Sequence, residues 1–324
     1  MSRRQYAVEM SNLVCKFGDQ NLLDYFSEIV LPAFSDPELR RTYSETKYFF
    51  EDVELVTVEG RVLLVGRFIK DMVFEREQVY TSDGLVADHD EMQSSPSCIF
   101  VLVLDIHRLI FLKETRGAPT LENFKLTLGA FLSVKYKAFI TEVYEEAKTK
   151  GEKVTKKQLM IDNAPPTLEL IPLTSAQSID SFVRQYEVLS SVTYKFSDRN
   201  DEHDNEGFFE AVQRQKDEVG SKTTTIRHSN SEGLDKESVI DEVQAATVQG
   251  NQKVTLVGKD SSGTELRGDN ENFKLKSFVE IEVSSPAIAA PTLFQKFLQL
   301  VGDGMVQVAA PTQTAIAKLN LYRR

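Results

Sequence analysis

One stretch, residues 96–148, constrains the fold of this chain more than any other. Two short apolar runs, 99–104 and 109–112, flank the polar sequence Asp-Ile-His-Arg and predict a buried β-hairpin. Thr120 can then cap a helix, after two residues, Gly117 and Pro119, that end the hairpin. Apolar side chains follow at helical spacing: Leu121, Phe124, Leu128, Phe131, Leu132, Tyr136, Phe139, Ile140 and Val143. This pattern predicts the core of a domain rather than an active site.

The residues before this core predict two helices and an antiparallel sheet. Apolar positions in 21–31 are typical of a helix that Pro32 ends, and a second helix is predicted over 36–43. The predicted strands are 53–58, 62–68 and 73–80, with a turn at Glu59 and Gly60. The polar segment 84–97 predicts a loop. With the hairpin, these strands form a five-stranded meander on which the long helix packs.

The composition changes at 148–166, a lysine-rich segment with a glycine and a Pro-Pro pair, and this predicts a domain boundary. We therefore expect an antiparallel α+β domain over 1–150, a linker over 151–166, and an α/β domain with a C-terminal helical segment over 167–324. The predicted fold class is α+β. In the second half the predicted strands are 167–172, 192–196, 223–228, 254–258 and 273–283, and the predicted helices are 178–189, 207–219, 234–248, 292–301 and 313–321.

Composition indicates an ordinary globular protein, with 41% hydrophobic and 27% charged residues among 324. No apolar run approaches the roughly 18 residues of a spanning helix, and no apolar segment follows the first arginines, so we expect a cytoplasmic protein. The two cysteines, Cys15 and Cys98, are isolated from each other and from any ligand pattern. We expect neither a metal nor a cofactor.

The candidate catalytic and metal-binding groups have simpler explanations. The acidic segments 88–91 and 201–206 are typical of hydrated loops, because adjacent residues rarely point at one ion. His107 and His228 lack a nucleophile motif, and the Gly-x-Gly at 302–304 follows a predicted helix rather than a strand. We expect no catalytic residue. Glu280 and Glu282 leave a hidden metal-dependent nuclease open, although alternate carboxylates on a strand are typical of a solvated face.

Positive charge is concentrated in one region of an otherwise acidic chain. The segment from Lys113 to Lys157 contains ten Lys and Arg residues and six Asp and Glu residues, whereas the whole chain has a net charge of −11. This pattern is typical first of a solvated helix end, and the alternative is a surface that contacts phosphates. The candidate nucleic-acid-binding residues are Lys135, Lys137, Lys148, Lys150, Lys153, Lys156 and Lys157, with a second basic group of Arg267, Lys274 and Lys276.

The order of elements resembles that of the RexA-like phage-exclusion proteins of the lambda Rex system. The strings that carry the resemblance are LVTVEGRVLLVGR at 55–67, the apolar hairpin with TRGAPTLENFKLTL at 96–128, LELIP at 168–172, VTYKF at 192–196 and VTLVGKDSSGTEL at 254–266. The chain is also similar to the KwaB component of the Kiwa antiphage system. The final helices depart from the pattern.

The resemblance implies antiphage defence, binding of double-stranded DNA with little sequence preference, a homodimer, and a membrane-protein partner that recruits the chain. It implies no catalytic residues. The leading hypothesis is therefore a non-enzymatic DNA-binding sensor or effector. The alternatives are a cryptic metal-dependent nuclease and a protein-interaction scaffold without nucleic-acid binding, which predicts an exposed apolar patch.

Overall fold

A computed structural model describes residues 4–200, 207–282 and 285–323. The strands are β1 (Arg4–Phe17), β2 (Gln20–Asn21), β3 (Arg41–Tyr43), β4 (Thr46–Val58), β5 (Arg61–Thr81), β6 (Gly84–Ser94), β7 (Ser97–Val103), β8 (Arg108–Lys113), β9 (Pro166–Pro172), β10 (Tyr186–Phe196), β11 (Thr224–Ser229), β12 (Lys253–Asp260), β13 (Glu265–Asp269) and β14 (Ser277–Ile281). The helices are α1 (Leu31–Ser35), α2 (Leu121–Thr149), α3 (Lys156–Asp162), α4 (Ala176–Val183), α5 (Gly207–Glu218), α6 (Lys236–Thr247), α7 (Pro286–Gly302) and α8 (Gln313–Leu319). Short 3-10 turns occupy Leu22–Tyr25 and Asn320–Tyr322, and a π turn occupies Phe26–Val30. These helices and two antiparallel sheets confirm the α+β class.

The larger sheet has the order β14-β1-β8-β7-β5-β4-β3, with β2 and β9 also paired to β1 and β6 paired to β5. β1 lies between β14 and β8, and along its length it pairs in turn with β14, β8 and β9. The sequence patterns did not predict this strand. From Ser11 to Phe17 every residue is buried, so the strand lacks the alternation that marks a half-exposed one.

The predicted hairpin and long helix are confirmed as the centre of the core. Thr120 caps α2 by accepting a hydrogen bond from the Asn123 backbone N–H at 3.2 Å. Phe124 of this helix lies against five phenylalanine rings, with ring centroids 5.3 to 6.1 Å away: Phe34, Phe50, Phe68, Phe100 and Phe111. No helix within the described ranges is both long enough and apolar enough to cross a bilayer.

The opposite face of the larger sheet is covered by α7. Leu293, Phe294 and Phe297 of this helix pack against buried residues of β5, β7 and β8. Because the sheet is covered on both faces, β7 and β8 are continuous apolar runs rather than alternating ones.

Four predictions in the first hundred residues are wrong. The helix expected over 21–31 does not end at Pro32, because the π turn Phe26–Val30 leads directly into α1 and Pro32 lies in the first turn of that helix. The helix expected over 36–43 is replaced by a turn and β3, which pairs with β4 around Ser44, a residue at a φ of 51°. The loop expected over 84–97 contains β6, which pairs with the second half of β5. The strands expected at 62–68 and 73–80 are one strand of 21 residues. The second half of β5 and its partner β6 are both exposed to solvent. β6 therefore has a polar composition, which resembles that of a loop.

The segment 151–166 does not separate the two sheets. α2 extends to Thr149 and α3 lies within the expected linker, while β9 and β14 both return to the larger sheet and pair with β1. The second unit is therefore smaller than expected. Its four-stranded antiparallel sheet, in the order β11-β10-β12-β13, packs against helices α4, α5 and α6.

The helix expected over 178–189 is also shorter, because α4 ends at Val183 and β10 begins at Tyr186. Tyr186 and Leu189 are buried, as the pattern required, but they belong to a strand. A run of buried residues at mixed spacing fits either element when it is this short.

Buried polar side chains join the two units. Arg108, which is fully buried, donates from Nη1 to Asn12 Oδ1 at 2.7 Å and from Nη2 to the Gln249 carbonyl at 3.2 Å. Asn12 Nδ2 donates to the Gly250 carbonyl at 3.0 Å, and Asn200 Nδ2 donates to Asn12 Oδ1 at 2.9 Å. These bonds connect β1 and β8 to loops of the second unit and oppose free hinging between the units.

We expect Arg108→Met to lower the free energy of unfolding by about 2–3 kcal/mol, because it leaves buried acceptors on Asn12 and Gln249 without this donor. Urea denaturation followed by circular dichroism measures the change. Arg184→Met is the control, since Arg184 forms exposed ion pairs and its loss costs at most about 1 kcal/mol. Equal midpoints for the two variants would contradict the role of Arg108.

Both cysteines are buried and carry thiols of low reactivity. Burial raises the pKa of Cys15 to about 12, against a smaller opposing effect of Lys16, and burial also raises the pKa of Cys98 well above its usual value. Because the thiolate is the reactive form, we expect Ellman's reagent to label neither residue in the native protein and both in denaturant. Rapid labelling of the native protein would contradict the burial of these strands.

Candidate nucleic-acid interface

Six of the predicted lysines lie exposed on one continuous segment, the C-terminal half of α2, the following loop and α3. We call these residues the lysine cluster: Lys137, Lys148, Lys150, Lys153, Lys156 and Lys157. Thr155 begins α3 by accepting a hydrogen bond from the Gln158 backbone N–H at 3.2 Å. Tyr136 of α2 donates to the Asn163 carbonyl at 2.7 Å, and Leu159 is buried, so α3 is held against α2.

Five of the six ammonium groups have no carboxylate within 4.0 Å in the part of the chain that the structure describes; only Lys150 does, at 3.9 Å from Glu146. Lys156 donates to Thr141 Oγ1 at 3.2 Å and lies 5.4 Å from the ring of Tyr144, which keeps it beside α2. Most of these charges can therefore meet an anion without first breaking an ion pair.

Carboxylates also lie on this segment. Residues 137–162 contain five of them, Glu142, Glu145, Glu146, Glu152 and Asp162, against six lysines. The segment is thus a local excess of positive charge in a chain of net charge −11. Such a surface favours polyanions at short range and at low ionic strength, since exposed charges are screened beyond roughly 10 Å at 0.1 M salt.

Two of the predicted DNA-binding lysines, Lys135 and Lys274, form ion pairs with carboxylates. Lys135 forms an ion pair with Asp36 and, by hydrogen bonding to it, lowers the pKa of that carboxyl. Lys274 bonds Glu271 at 2.8 Å and Glu9 at 3.1 Å and is largely buried. These ion pairs compete with any phosphate contact, which sets both lysines apart from the cluster.

The second basic group is not brought to the lysine cluster. Lys274 is bridged to Thr174, just past the end of β9, whereas α3 leads into the start of that strand at Pro166. Pro166 and Thr174 are eight residues apart in extended chain, which corresponds to about 26 Å. Lys276 is exposed near Lys274, and Arg267 is exposed on β13, the edge of the smaller sheet.

The other candidate groups also have defined places. Residues 88–91 lie in β6, and Arg76 forms ion pairs with Asp88 and Asp90. His107 is buried in the β7–β8 turn at a φ of 51°, and His228 lies 3.8 Å from Glu242. Residues 201–206 lie outside the described residues. Within the described ranges, no group of three or more His, Cys, Asp or Glu is arranged to hold a metal ion.

One exposed feature was missed at the sequence level. The second half of β5 and β6 form a two-stranded ribbon that carries large exposed apolar side chains. The sequence predicted a strand over 73–80, but the pairing with 84–94 had no local turn signal beyond Asp83-Gly84.

No model of a known protein family matches this chain, and no curated protein is significantly similar to it. The relationship to RexA-like and KwaB-like proteins therefore stays a prediction.

Proposed function

We propose that this protein binds the phosphate backbone of double-stranded DNA through the lysine cluster, without reading base sequence and without catalysis. The observation that carries the proposal is that these lysines are exposed, lie on one segment and are mostly without ion pairs among the described residues. Five of the six have no carboxylate within 4.0 Å in the ranges that the structure describes, whereas Lys135 and Lys274 pair with carboxylates.

The spacing of the cluster suits a polyanion. Lys137 and Lys148 are eleven residues apart on α2, which corresponds to about 16 Å along the helix axis. Duplex DNA carries one charge per about 1.7 Å of its axis, so a surface of this length spans several phosphates. Lys153, Lys156 and Lys157 extend the surface across the loop and α3.

The side chains of the cluster fit backbone contact better than base readout. Lysine presents a compact charge, whereas discrimination between bases relies largely on bidentate hydrogen bonds such as those that Arg, Asn and Gln form. Gln158, the amide side chain within α3, donates its Nε2 to Asp162 at 2.8 Å. Binding by this surface should therefore differ little between DNA sequences.

A fluorescence-anisotropy titration on duplexes of two unrelated sequences tests the proposal. We expect both duplexes to bind with similar affinity and the logarithm of the binding constant to fall with log salt at a slope of about −4.5 to −5.4, from about five or six phosphate contacts. A binding constant that does not change with salt concentration would contradict the proposal. Running the same mixtures on gels with Mg²⁺ or EDTA detects strand cleavage, the outcome of the nuclease alternative, which would move the search to the carboxylates.

A second candidate, a protein-interaction scaffold, is favoured by the exposed apolar ribbon of β5 and β6. It predicts no DNA binding at moderate salt. The same titration separates it from the first candidate, because a scaffold leaves the duplex unshifted at every salt concentration.

The biological setting rests on the resemblance to RexA-like and KwaB-like proteins, which supports an antiphage role in the cytoplasm beside a membrane-protein partner. Plaque assays on cells that express the chain with its neighbouring genes test this role. Equal plaque numbers with and without the chain, for a panel of phages, would remove the defence role and leave DNA binding to be judged separately.

A further inference from the structure

The ribbon formed by residues 72–81 of β5 and by β6 has no third strand. β7 pairs with β5 only up to Ile69 and β4 only up to Asp71, so beyond that point β6 is its one partner in the described part of the chain. An isolated two-stranded ribbon is marginally stable in water. A surface that covers one of its faces would stabilise it.

One face of the ribbon is apolar at both ends. Phe74 lies opposite Met92 near the base, and Tyr80 lies opposite Leu85 near the tip. Opposite residues of antiparallel strands share a face, and positions 74 and 80 are an even number of residues apart, so all four side chains lie on the same side. Their exposed fractions run from 56% for Phe74 to 81% for Tyr80.

The centre of this face is polar, and one arginine there partly offsets the charge of two aspartates. Arg76 pairs with Asp88 at 2.5 Å and with Asp90 at 3.2 Å, and its neighbour on the same face is Gln78. Along this face, from base to tip, the side chains are therefore apolar, then polar, then apolar again.

The opposite face carries carboxylates. Glu75 lies directly opposite Glu91, and Glu77 follows on the same side, with no cation within 4.0 Å of any of them among the described residues. Like charges placed opposite each other favour a face that stays in water. The opposite face also carries three valines, Val73, Val79 and Val86, but its carboxylates are unpaired within the described ranges and its apolar side chains are smaller. The face with Phe74 and Tyr80 is therefore better suited to a partner.

We infer that this apolar face packs against the same face of a second copy of the chain, about a two-fold axis through the ribbon centre. Phe74 and Tyr80 are about 20 Å apart along β5, placed on either side of the polar centre. A two-fold rotation brings Phe74 and Met92 against the partner's Tyr80 and the partner's Leu85, as a self-complementary interface requires. The two carboxylate faces then remain outside, in water.

The area predicts a weak dimer. Four large side chains from each copy, together with their neighbours, bury on the order of 1,000 Å², which is at the low end for specific interfaces. Dissociation in the micromolar range follows. This inference does not depend on DNA binding, because the lysine cluster lies on α2 and α3 rather than on the ribbon.

Cysteine cross-linking tests the face directly. Gln78 faces the proposed interface and Glu77 faces solvent, both are exposed, and the native cysteines are buried. We expect a short bis-maleimide to convert Gln78→Cys to a covalent dimer and to leave Glu77→Cys largely monomeric. Equal cross-linking of the two variants, or none in either, would overturn the proposal.

Sedimentation velocity of the full chain up to about 100 µM provides the second test. We expect a concentration-dependent dimer, weakened at least about tenfold in Phe74→Ser/Tyr80→Ser but not in Val73→Ser/Val79→Ser, which alters the other face of the same strand. Limited proteolysis at the Asp83-Gly84 turn checks that both variants keep the ribbon. The assignment would be overturned if the wild-type chain were monomeric, or if the dimer persisted in Phe74→Ser/Tyr80→Ser. If a monomeric chain bound another protein through this face, that protein would be the partner in place of the second copy.

Discussion

Phe124→Ala is expected to lower the free energy of unfolding by about 3–5 kcal/mol, the range for removing a fully buried phenylalanine. Phe124 is fully buried and its ring centroid lies within 6.1 Å of five other phenylalanine rings. The cost combines lost burial of apolar surface, the cavity left behind and the lost ring contacts. Urea denaturation, with the midpoint and slope compared to those of the wild type, measures it.

The control for this substitution is Phe208→Ala. Phe208 is 48% exposed on α5, so its loss should cost less than about 1 kcal/mol. If Phe124→Ala unfolded at the same urea concentration as Phe208→Ala, the account of α2 as the centre of the core would be incorrect.

The second large effect concerns DNA. We expect Lys153→Ala/Lys156→Ala/Lys157→Ala to weaken binding to a duplex by about two to three orders of magnitude at 0.1 M salt and to reduce the salt slope by about 2.7. Each lysine that leaves a phosphate no longer releases a counterion, so affinity and slope should fall together. The measurement is the anisotropy titration at several salt concentrations.

A matched control removes three exposed lysines outside the cluster, Lys47, Lys222 and Lys259. The net charge changes by the same amount, so a general electrostatic effect would weaken both variants equally. We expect the control to keep the wild-type slope. Equal losses in the two variants would show that the whole protein field, rather than this cluster, controls binding.

The elements that could be predicted from sequence are those with a local signal. The period of apolar residues after Thr120 indicated α2, and the Glu59-Gly60 turn, with positive φ at both residues, indicated the β4–β5 hairpin. β1 had no such signal because its second half, from Met10 to Phe17, is buried on both sides. The return of β9 and β14 to β1 depends on pairing between residues at least 149 positions apart, for which a local pattern carries no information.

The same limit applies to the candidate interface. The exposure of Lys148, Lys153 and Lys157 followed from a polar segment at a helix end. The ion pairs of Lys135 with Asp36 and of Lys274 with Glu9 link residues far apart in sequence, so charge counting could not separate these lysines from the others. The apolar face of the ribbon depended on knowing that β6 is a strand.

The most direct test of the central claim is lysine footprinting. Native protein, with and without a saturating duplex, is acetylated briefly and each lysine is quantified by mass spectrometry. We expect DNA binding to lower the reactivity of Lys148, Lys153, Lys156 and Lys157 and to leave that of Lys47, Lys222 and Lys259 unchanged. Protection of the second group, or of no lysine at all under conditions in which the duplex is bound, would contradict the central claim.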